Sequence, residues 1–352
     1  MTYVSVISRF IRRYFLSVEA LILIVLIIIL YNSAFHVKPI WRYLMRAKVK
    51  VQLKWNGADS ELDYGNEQNQ RKGKVSWEMK KDGASVYAIQ GRRPHMEDRF
   101  NIVNNLEHTD TSIFGVFDGH GGEFAADFTE KTLFKCLMIR LLKASLDQTQ
   151  GNMSKLLTEE ILSVDKQFLE LAHSNQDISG TTVLLAMLKH GLLTVANVGD
   201  SRGVLCDVNG HSIPLSYDHK PHLMKERKRI QESGGFVSFN GVWRVAGILA
   251  TSRAIGDYPL KDRNLITAQP DILTFDLKGL KPKFMILATD GLWDCFSNQE
   301  AVDYIKERLH EPYFGAKSLV LQAYYRGSLD NISVMVVNFQ STQSQFYMTT
   351  SR

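Results

Sequence analysis

Cysteine and proline are scarce in this 352-residue sequence, with three of the first and eight of the second. Cys136, Cys206 and Cys295 form no Cys-x-x-Cys pair, which argues against both a disulfide-stapled secreted domain and a structural zinc site. No short period runs through the chain and charged residues make up 22%, so coiled-coil, collagen-like and disordered classes are excluded. Acid is nearly missing from one end. Residues 1–54 hold nine of the 42 Lys and Arg but only Glu19 of the 37 acidic residues, leaving 33 basic against 36 acidic residues elsewhere. With its basicity confined to that stretch, the globular part lacks the footprint of a nucleic-acid binder, and no nucleic acid is expected as a partner.

What is present begins with an apolar run. Ala20 to Tyr31 carries no charge, and residues 15–36 are long enough at 1.5 Å per residue to cross roughly 30 Å of hydrocarbon. The run is apolar on every face and is followed by no small-x-small cleavage site, so an uncleaved anchor in the lipid bilayer fits better than a core helix or a signal peptide. Three basic residues precede it and six follow between Lys38 and Lys54, which places the C-terminal side in the cytosol. Its short length favours a thin bilayer such as that of the endoplasmic reticulum. Residues 1–14 then read as a tail, 37–82 as a basic and then polar linker, 83–340 as the folded domain and 341–352 as a polar tail.

Within the domain, Ser85–Gln90, Ile113–Phe117, Thr181–Leu188, Leu192–Asn197, Arg202–Cys206, Phe284–Thr289 and Ile332–Phe339 read as strands. Helical periodicity covers Glu123–Leu142, Thr158–His173, His222–Glu232 and Ala316–Tyr325. Asn240-Gly241 marks a hairpin, and Ser297 with Glu300 has the spacing of a capping box for a helix running to about Leu309. Strand runs interrupted by helix pairs indicate an antiparallel-rich α+β fold rather than regular βαβ alternation.

Carboxylates recur where apolar strands end. Ile113–Phe117 runs into Asp118-Gly119-His120-Gly121-Gly122, Phe284–Thr289 into Asp290-Gly291-Leu292-Trp293-Asp294, and Leu193–Val198 into Gly199-Asp200-Ser201-Arg202. A fourth acidic motif, Met96-Glu97-Asp98, follows Arg92-Arg93. Any one of these would pass for an Asx-turn. Several buried carboxylates converging in one core are costly unless paired or metal-bound, and an all-oxygen donor set points to Mg²⁺ or Mn²⁺ rather than Zn²⁺.

These motifs, with Ser179-Gly180-Thr181-Thr182, Ser252-Arg253-Ala254-Ile255-Gly256-Asp257 and Asp330-Asn331, occur in an order that resembles the protein phosphatase 2C family of metal-dependent Ser/Thr phosphatases. The resemblance spans about residues 83–340; with its apolar run the chain is similar to membrane-anchored members. It implies a four-layer α-β-β-α sandwich with metals in a cleft at one edge of two central sheets. It further implies that Asp118 bridges two Mg²⁺ or Mn²⁺ ions, that Asp290 and Asp330 complete one, and that Glu97 and the Gly119 carbonyl hold the other. Asp98 would orient water, and Asp200 with Asp290 or Asp294 would match a third, weaker site. Phosphorylated Ser/Thr proteins are the implied partners, with stress-activated kinases and membrane-associated proteins among them.

The chemistry is coherent with these residues. Two divalent ions roughly 4 Å apart would acidify a bridging water to give hydroxide for in-line attack at phosphorus. Arg93 has the planar fork to hold two phosphate oxygens, Arg92 being its solvated neighbour. His120 is placed to protonate the departing oxygen. The three cysteines read as core residues, and His95, His108, His173, His211, His219, His222 and His310 show no metal-ligand spacing and read as surface or packing residues. Lys225, Arg227, Lys228 and Arg229 read as a solvated helix face. A calcineurin-like metallophosphoesterase is disfavoured because its downstream Asn-His-Glu element is lacking. An inactive, membrane-tethered binding module is the remaining alternative; it would be expected to have lost a ligand, and Glu97, Asp118, Asp290 and Asp330 are all present.

Overall fold

The computed structural model describes residues 76–106, 109–146 and 152–340. The expected anchor at 15–36 and both expected tails lie outside these residues; among the described residues no helix is long and apolar enough to cross a membrane. In chain order the first elements are β1 (Ser76–Lys81), β2 (Ala84–Ile89), β3 (Arg99–Leu106), β4 (Thr111–Phe117) and β5 (Gly119–His120). Helices α1 (Phe124–Leu146) and α2 (Met153–Asn175) follow, then β6 (Gly180–Thr181), β7 (Val183–Lys189), β8 (Leu192–Val198), β9 (Arg202–Cys206) and β10 (Ser212–Pro214). Next come α3 (Met224–Glu232), β11 (Val237–Asn240), β12 (Val242–Val245), β13 (Ile255–Gly256), α4 (Tyr258–Lys261), β14 (Asp271–Asp276) and α5 (Leu277–Leu280). The chain closes with β15 (Phe284–Ala288), α6 (Asp290–Trp293), α7 (Asn298–Arg308), α8 (Ala316–Tyr325) and β16 (Ile332–Asn338).

Two antiparallel sheets form the centre, one ordered β1-β2-β16-β15-β9-β10 and the other β14-β8-β7-β4-β3. Side-chain alternation builds the layers. Along β4, Phe114 and Val116 point between the sheets, where they meet Val86, Met335 and Leu287, while Ile113 and Phe117 face Leu133, Phe134 and Phe168 of α1 and α2. Along β16, Met335 and Val337 join the central layer, and Val334 and Val336 pack with Leu319, Val320 and Ile305 of α7 and α8. The result is a helix-sheet-sheet-helix sandwich. Each fully buried apolar side chain of this kind contributes about 1.5–3 kcal/mol.

The expected capping box is present: the Glu300 amide donates to Ser297 Oγ at 3.3 Å and the Ser297 amide to Glu300 Oε2 at 2.8 Å. Asn240-Gly241 turns the β11–β12 hairpin as expected. Strand β1 lies inside the stretch expected as linker, and β3, β10 and β14 add strands where none were expected. Of the three cysteines expected in the core, only Cys206 is buried; Cys136 and Cys295 are half-buried.

Register decides where the functional residues emerge. Arg99 pairs with Phe117 and Val183 with Val198, so the segments holding Asp98, Asp118 and Asp200 leave one sheet at the same end. In the other sheet Ala288 pairs with Val334 and Arg202, and Ile332 with Ile89, so Asp290 and Asp330 also leave at a shared end. The two ends meet where Thr289 Oγ1 donates to Asp98 Oδ2 at 2.9 Å and the Asp290 amide to Asp118 Oδ2 at 3.4 Å.

Candidate active site

The backbone around Asp118 is fixed by the Ser-Gly-Thr-Thr segment. The Asp118 amide donates to Thr182 Oγ1 at 3.0 Å, and its carbonyl accepts from the Thr182 amide at 2.9 Å and from Thr181 Oγ1 at 3.1 Å. That aims the half-buried carboxylate into the cleft. Burial, then Asp290, Asp98, Asp330 and Asp200, push its proton affinity well above the ordinary carboxylate range. Gly119 follows because a side chain there would strike the Glu97 carbonyl.

Asp290 opens α6, and burial, then the charge of Asp200, raises it strongly against the opposing pull of Lys220. Asp98 is buried and accepts from Thr289 and, at 2.7 Å, from Ser333 Oγ; burial outweighs those bonds and raises it to about 7. Asp294 lies at the cleft's exposed rim, and partial desolvation of its own carboxyl, with the charge of Asp200, raises it against the opposing pull of Lys220. Glu97 Oε1 accepts from the Gly122 amide at 2.8 Å, and the Glu97 amide donates to Asn331 Oδ1 at 2.8 Å. Asn331 is buried and donates to the carbonyls of Gln90 at 2.7 Å and His95 at 2.9 Å, so its amide ties the 90–97 loop to the start of β16.

Two chain cations reach the acids. Arg93 Nη2 lies 2.5 Å from Asp330 Oδ2, and Lys220 Nζ lies 2.6 Å from Asp200 Oδ2. Arg92 turns away, stacking at 4.9 Å over Tyr324 and donating to the Ser328 carbonyl at 3.3 Å, so Arg93 is the arginine that faces the cleft. His120 Nε2 lies 2.8 Å from Asp257 Oδ2. Burial would lower the imidazole, but the charge and hydrogen bond of Asp257 prevail and raise it.

The cleft thus gathers Asp98, Asp118, Asp200, Asp290, Asp294 and Asp330 within electrostatic reach of one another, with Glu97 beside them. Among the described residues no three Asp, Glu, His or Cys side chains close on one point as a metal cage. The donor set nonetheless fits a hard divalent ion: all-oxygen, more acidic than its two cations can neutralise, and open enough that solvent and the Gly119 carbonyl would complete the shell, as Mg²⁺ prefers. Sequence reasoning missed Asp257, Lys220 and Asn331. Asp257 and Asn331 stood in motifs already singled out; Lys220 carried no signal. Arg229, expected on a solvated face, donates to the Ser252 and Leu265 carbonyls at 2.8 and 3.1 Å, whereas Lys225, Arg227 and Lys228 are exposed. His219 is buried, its Nδ1 accepting from the Gly199 amide at 3.0 Å.

The sequence profile described as protein phosphatase 2C matches residues 82–332. Protein phosphatase 1L of Bos taurus is 49% identical over 354 residues, covering 97% of each chain. Probable protein phosphatase 2C 59 of Arabidopsis thaliana is 43% identical over 255 residues, 72% of this chain and 78% of that one. Among solved structures, serine-threonine phosphatase 2C from Toxoplasma gondii superposes with a TM-score of 0.65 at 27% identity, covering 72% of this chain and 94% of that one.

Proposed function

The chain belongs to the protein phosphatase 2C family and is a protein phosphatase, and we propose that it hydrolyses phosphoserine and phosphothreonine in proteins with two divalent ions held at the carboxylate cluster. The observation that carries this reading is geometric: the strand ends bearing Asp98, Asp118, Asp290 and Asp330 meet in one cleft, where Thr289 Oγ1 donates to Asp98 and the Asp290 amide to Asp118, a gathering of carboxylates that an external cation would neutralise. Metal dependence on Mg²⁺ or Mn²⁺ is general in the family. When bound, such ions lower the pKa of water so that hydroxide can attack phosphorus near neutral pH.

The chain's own residues do the rest. Asp118, Asp290, Asp330 and Glu97, with the Gly119 carbonyl, would hold the ions, Asp98 would orient solvent, and Asp200 with Asp294 would form the weaker outer site. Arg93, half-exposed at the cleft mouth, exchanges Asp330 for the incoming phosphoryl oxygens and stabilises their charge in the transition state. His120 protonates the departing serine or threonine oxygen.

The proposal extends to place. Residues 15–36 anchor the chain in the endoplasmic reticulum membrane, the phosphatase domain faces the cytosol, and stress-activated kinases and membrane-associated proteins are its substrates. The uncharged run, the six basic residues after it and the resemblance to membrane-anchored phosphatases support this.

The test uses the full chain purified from membranes in detergent. Phosphate release from a phosphothreonine peptide is expected with Mn²⁺ or Mg²⁺, to stop with EDTA and to be absent in Asp290→Ala. Metal-independent release, or none from the folded protein, overturns the reading. The same preparation reports topology, because Asn152-Met153-Ser154 is an exposed sequon that a glycan would mark if the domain were lumenal.

A further inference from the structure

We propose that Asp257 is a positioning residue for His120: it grips Nε2 and leaves Nδ1 as the nitrogen that carries the proton to the leaving oxygen. The inference rests on the phosphatase reading above and names a residue to which that reading gave no part.

Three features built into the fold converge on the pair. His120 Nε2 and Asp257 Oδ2 are 2.8 Å apart, Asp257 is 7% exposed, and that bond is the one His120 side-chain hydrogen bond among the described residues. The second feature is the small sheet β13-β6-β5, in which His120 pairs with Gly180 and Gly180 with Gly256. Gly180 therefore lies between the strand that carries the histidine and the strand that leads into the aspartate. A methyl group there would collide with both Asp257 Oδ2 and His120 Nε2. Glycine at this position makes room for the pair.

The third feature is backbone strain. Asp257 sits at φ 55°, ψ 43°, in the left-handed region that a non-glycine residue adopts at a cost. The surroundings hold it there. Its amide donates to the Ser179 carbonyl at 3.1 Å, and its carbonyl accepts from the Leu260 and Lys261 amides, each at 2.9 Å. Buried Asp165 of α2 accepts from the Gly256 amide and from Lys261 Nζ, both at 2.9 Å. These contacts fix the backbone of Asp257 and aim its carboxylate at one ring nitrogen of His120.

The step balances simply. Attack forms a new P–O bond to the oxygen derived from water; the ester P–O bond breaks with its electron pair on the seryl or threonyl oxygen. That oxygen takes the proton from His120 Nδ1, and the neutral imidazole recovers a proton from solvent. Asp257 keeps the ring oriented throughout and exchanges no proton.

The experiment compares two leaving groups in the full chain under saturating Mn²⁺. A phosphothreonine peptide releases an alkoxide that needs a proton, whereas p-nitrophenyl phosphate releases a stable phenolate that does not. His120→Gln is expected to lower kcat on the peptide by about 10²-fold, the ordinary worth of a general acid, and far less on the aryl ester. Asp257→Asn and Gly180→Ala are expected to reproduce that selectivity, with KM for the peptide little changed and thermal melts confirming folded protein. Equal losses on both substrates for folded Asp257→Asn and Gly180→Ala, beside a selective His120→Gln, would overturn the positioning role alone. A non-selective His120→Gln would remove the acid to be positioned and overturn the inference together with the role assigned to His120. Absence of metal-dependent turnover in the unmutated chain would instead identify the phosphatase reading as the failure.

Discussion

Glu226 and Asp98 are equally removed from water, at 2% and 3% exposure, yet their proton affinities move in opposite directions. Burial pushes Glu226 up, but Arg253 donates to it from Nε at 3.1 Å and Nη2 at 2.6 Å, with Arg229 and Ser252 beside it, and the balance falls to about 2. Asp98 meets two hydroxyls and the charge of Asp330, and rises to about 7. In the first region the chain supplies its own guanidinium ions and the charge is structural. In the second it collects more carboxylates than the cations it brings, Arg93 and Lys220, can neutralise. A folded protein tolerates such a surplus only where an ion or a proton is meant to complete it.

The largest effects should separate the two regions by what they damage. Arg253→Met leaves Glu226 buried without its main partner and should cost about 3–5 kcal/mol of stability. Asp290→Asn removes repelling charge from the cleft, so metal-free stability should hold or rise. Its phosphatase activity should nonetheless fall by more than the roughly 100-fold lost when partners outside the metal shell are removed. Urea unfolding in EDTA together with phosphate release measures both. The comparison breaks if Asp290→Asn unfolds the metal-free protein as readily as Arg253→Met does.

A smaller effect, and a sharper one, is the sign of the pH dependence. The folded state raises Asp98 from 3.8 to about 7, so it keeps a proton that the unfolded chain has released. Between these values stability of the metal-free protein should therefore fall as pH rises. Asp118 and Asp290 act in the same direction. Glu226, lowered from 4.5 to about 2, acts oppositely: its contribution is complete above 4.5 and is lost as pH falls towards 2. Thermal midpoints in EDTA should be higher at about pH 5.5 than at about pH 8, and Mg²⁺ should flatten or reverse the difference. A midpoint in EDTA that climbs with pH across this window contradicts the charge surplus in the cleft.

The same contrast explains what could be read from the sequence. Interior strands such as β4, β15 and β16 are buried on both faces and stand out as apolar runs. Apart from the two-residue strands β5 and β13 of the small sheet, the strands that escaped notice, β1, β3, β10 and β14, are the four outermost ones of the two central sheets. One side of each is wet, and charges such as Lys80 and Lys81 protect an open edge while imitating a linker. Most carboxylates in the cleft were legible because they sit at a strand end close to glycine or in a compact acidic motif; Asp330 has neither signal and was implied only by the family resemblance. The pairing of Asp257 with His120 was not legible, although Asp257 closes a quoted motif, since its partner lies 137 residues away and the two meet through three strands of two residues each. Such a contact belongs to the tertiary fold and leaves no local pattern.

Lys220 tests the finest part of the comparison, because with Arg93 it is one of the two chain cations that reach the cleft carboxylates. Its ammonium lies 2.6 Å from Asp200 Oδ2. Burial opposes its charge, but the attraction of Asp200 and Asp290 prevails and holds the lysine protonated. An ion approaching Asp200 and Asp290 must work against that charge. Lys220→Met should therefore tighten divalent binding a few-fold, on the order of 1 kcal/mol, in a calorimetric titration with Mn²⁺. Weaker Mn²⁺ binding in the variant would mean that Lys220 shapes the site rather than competes for it, and Asp200 would then belong with Glu226 among carboxylates neutralised by the chain itself.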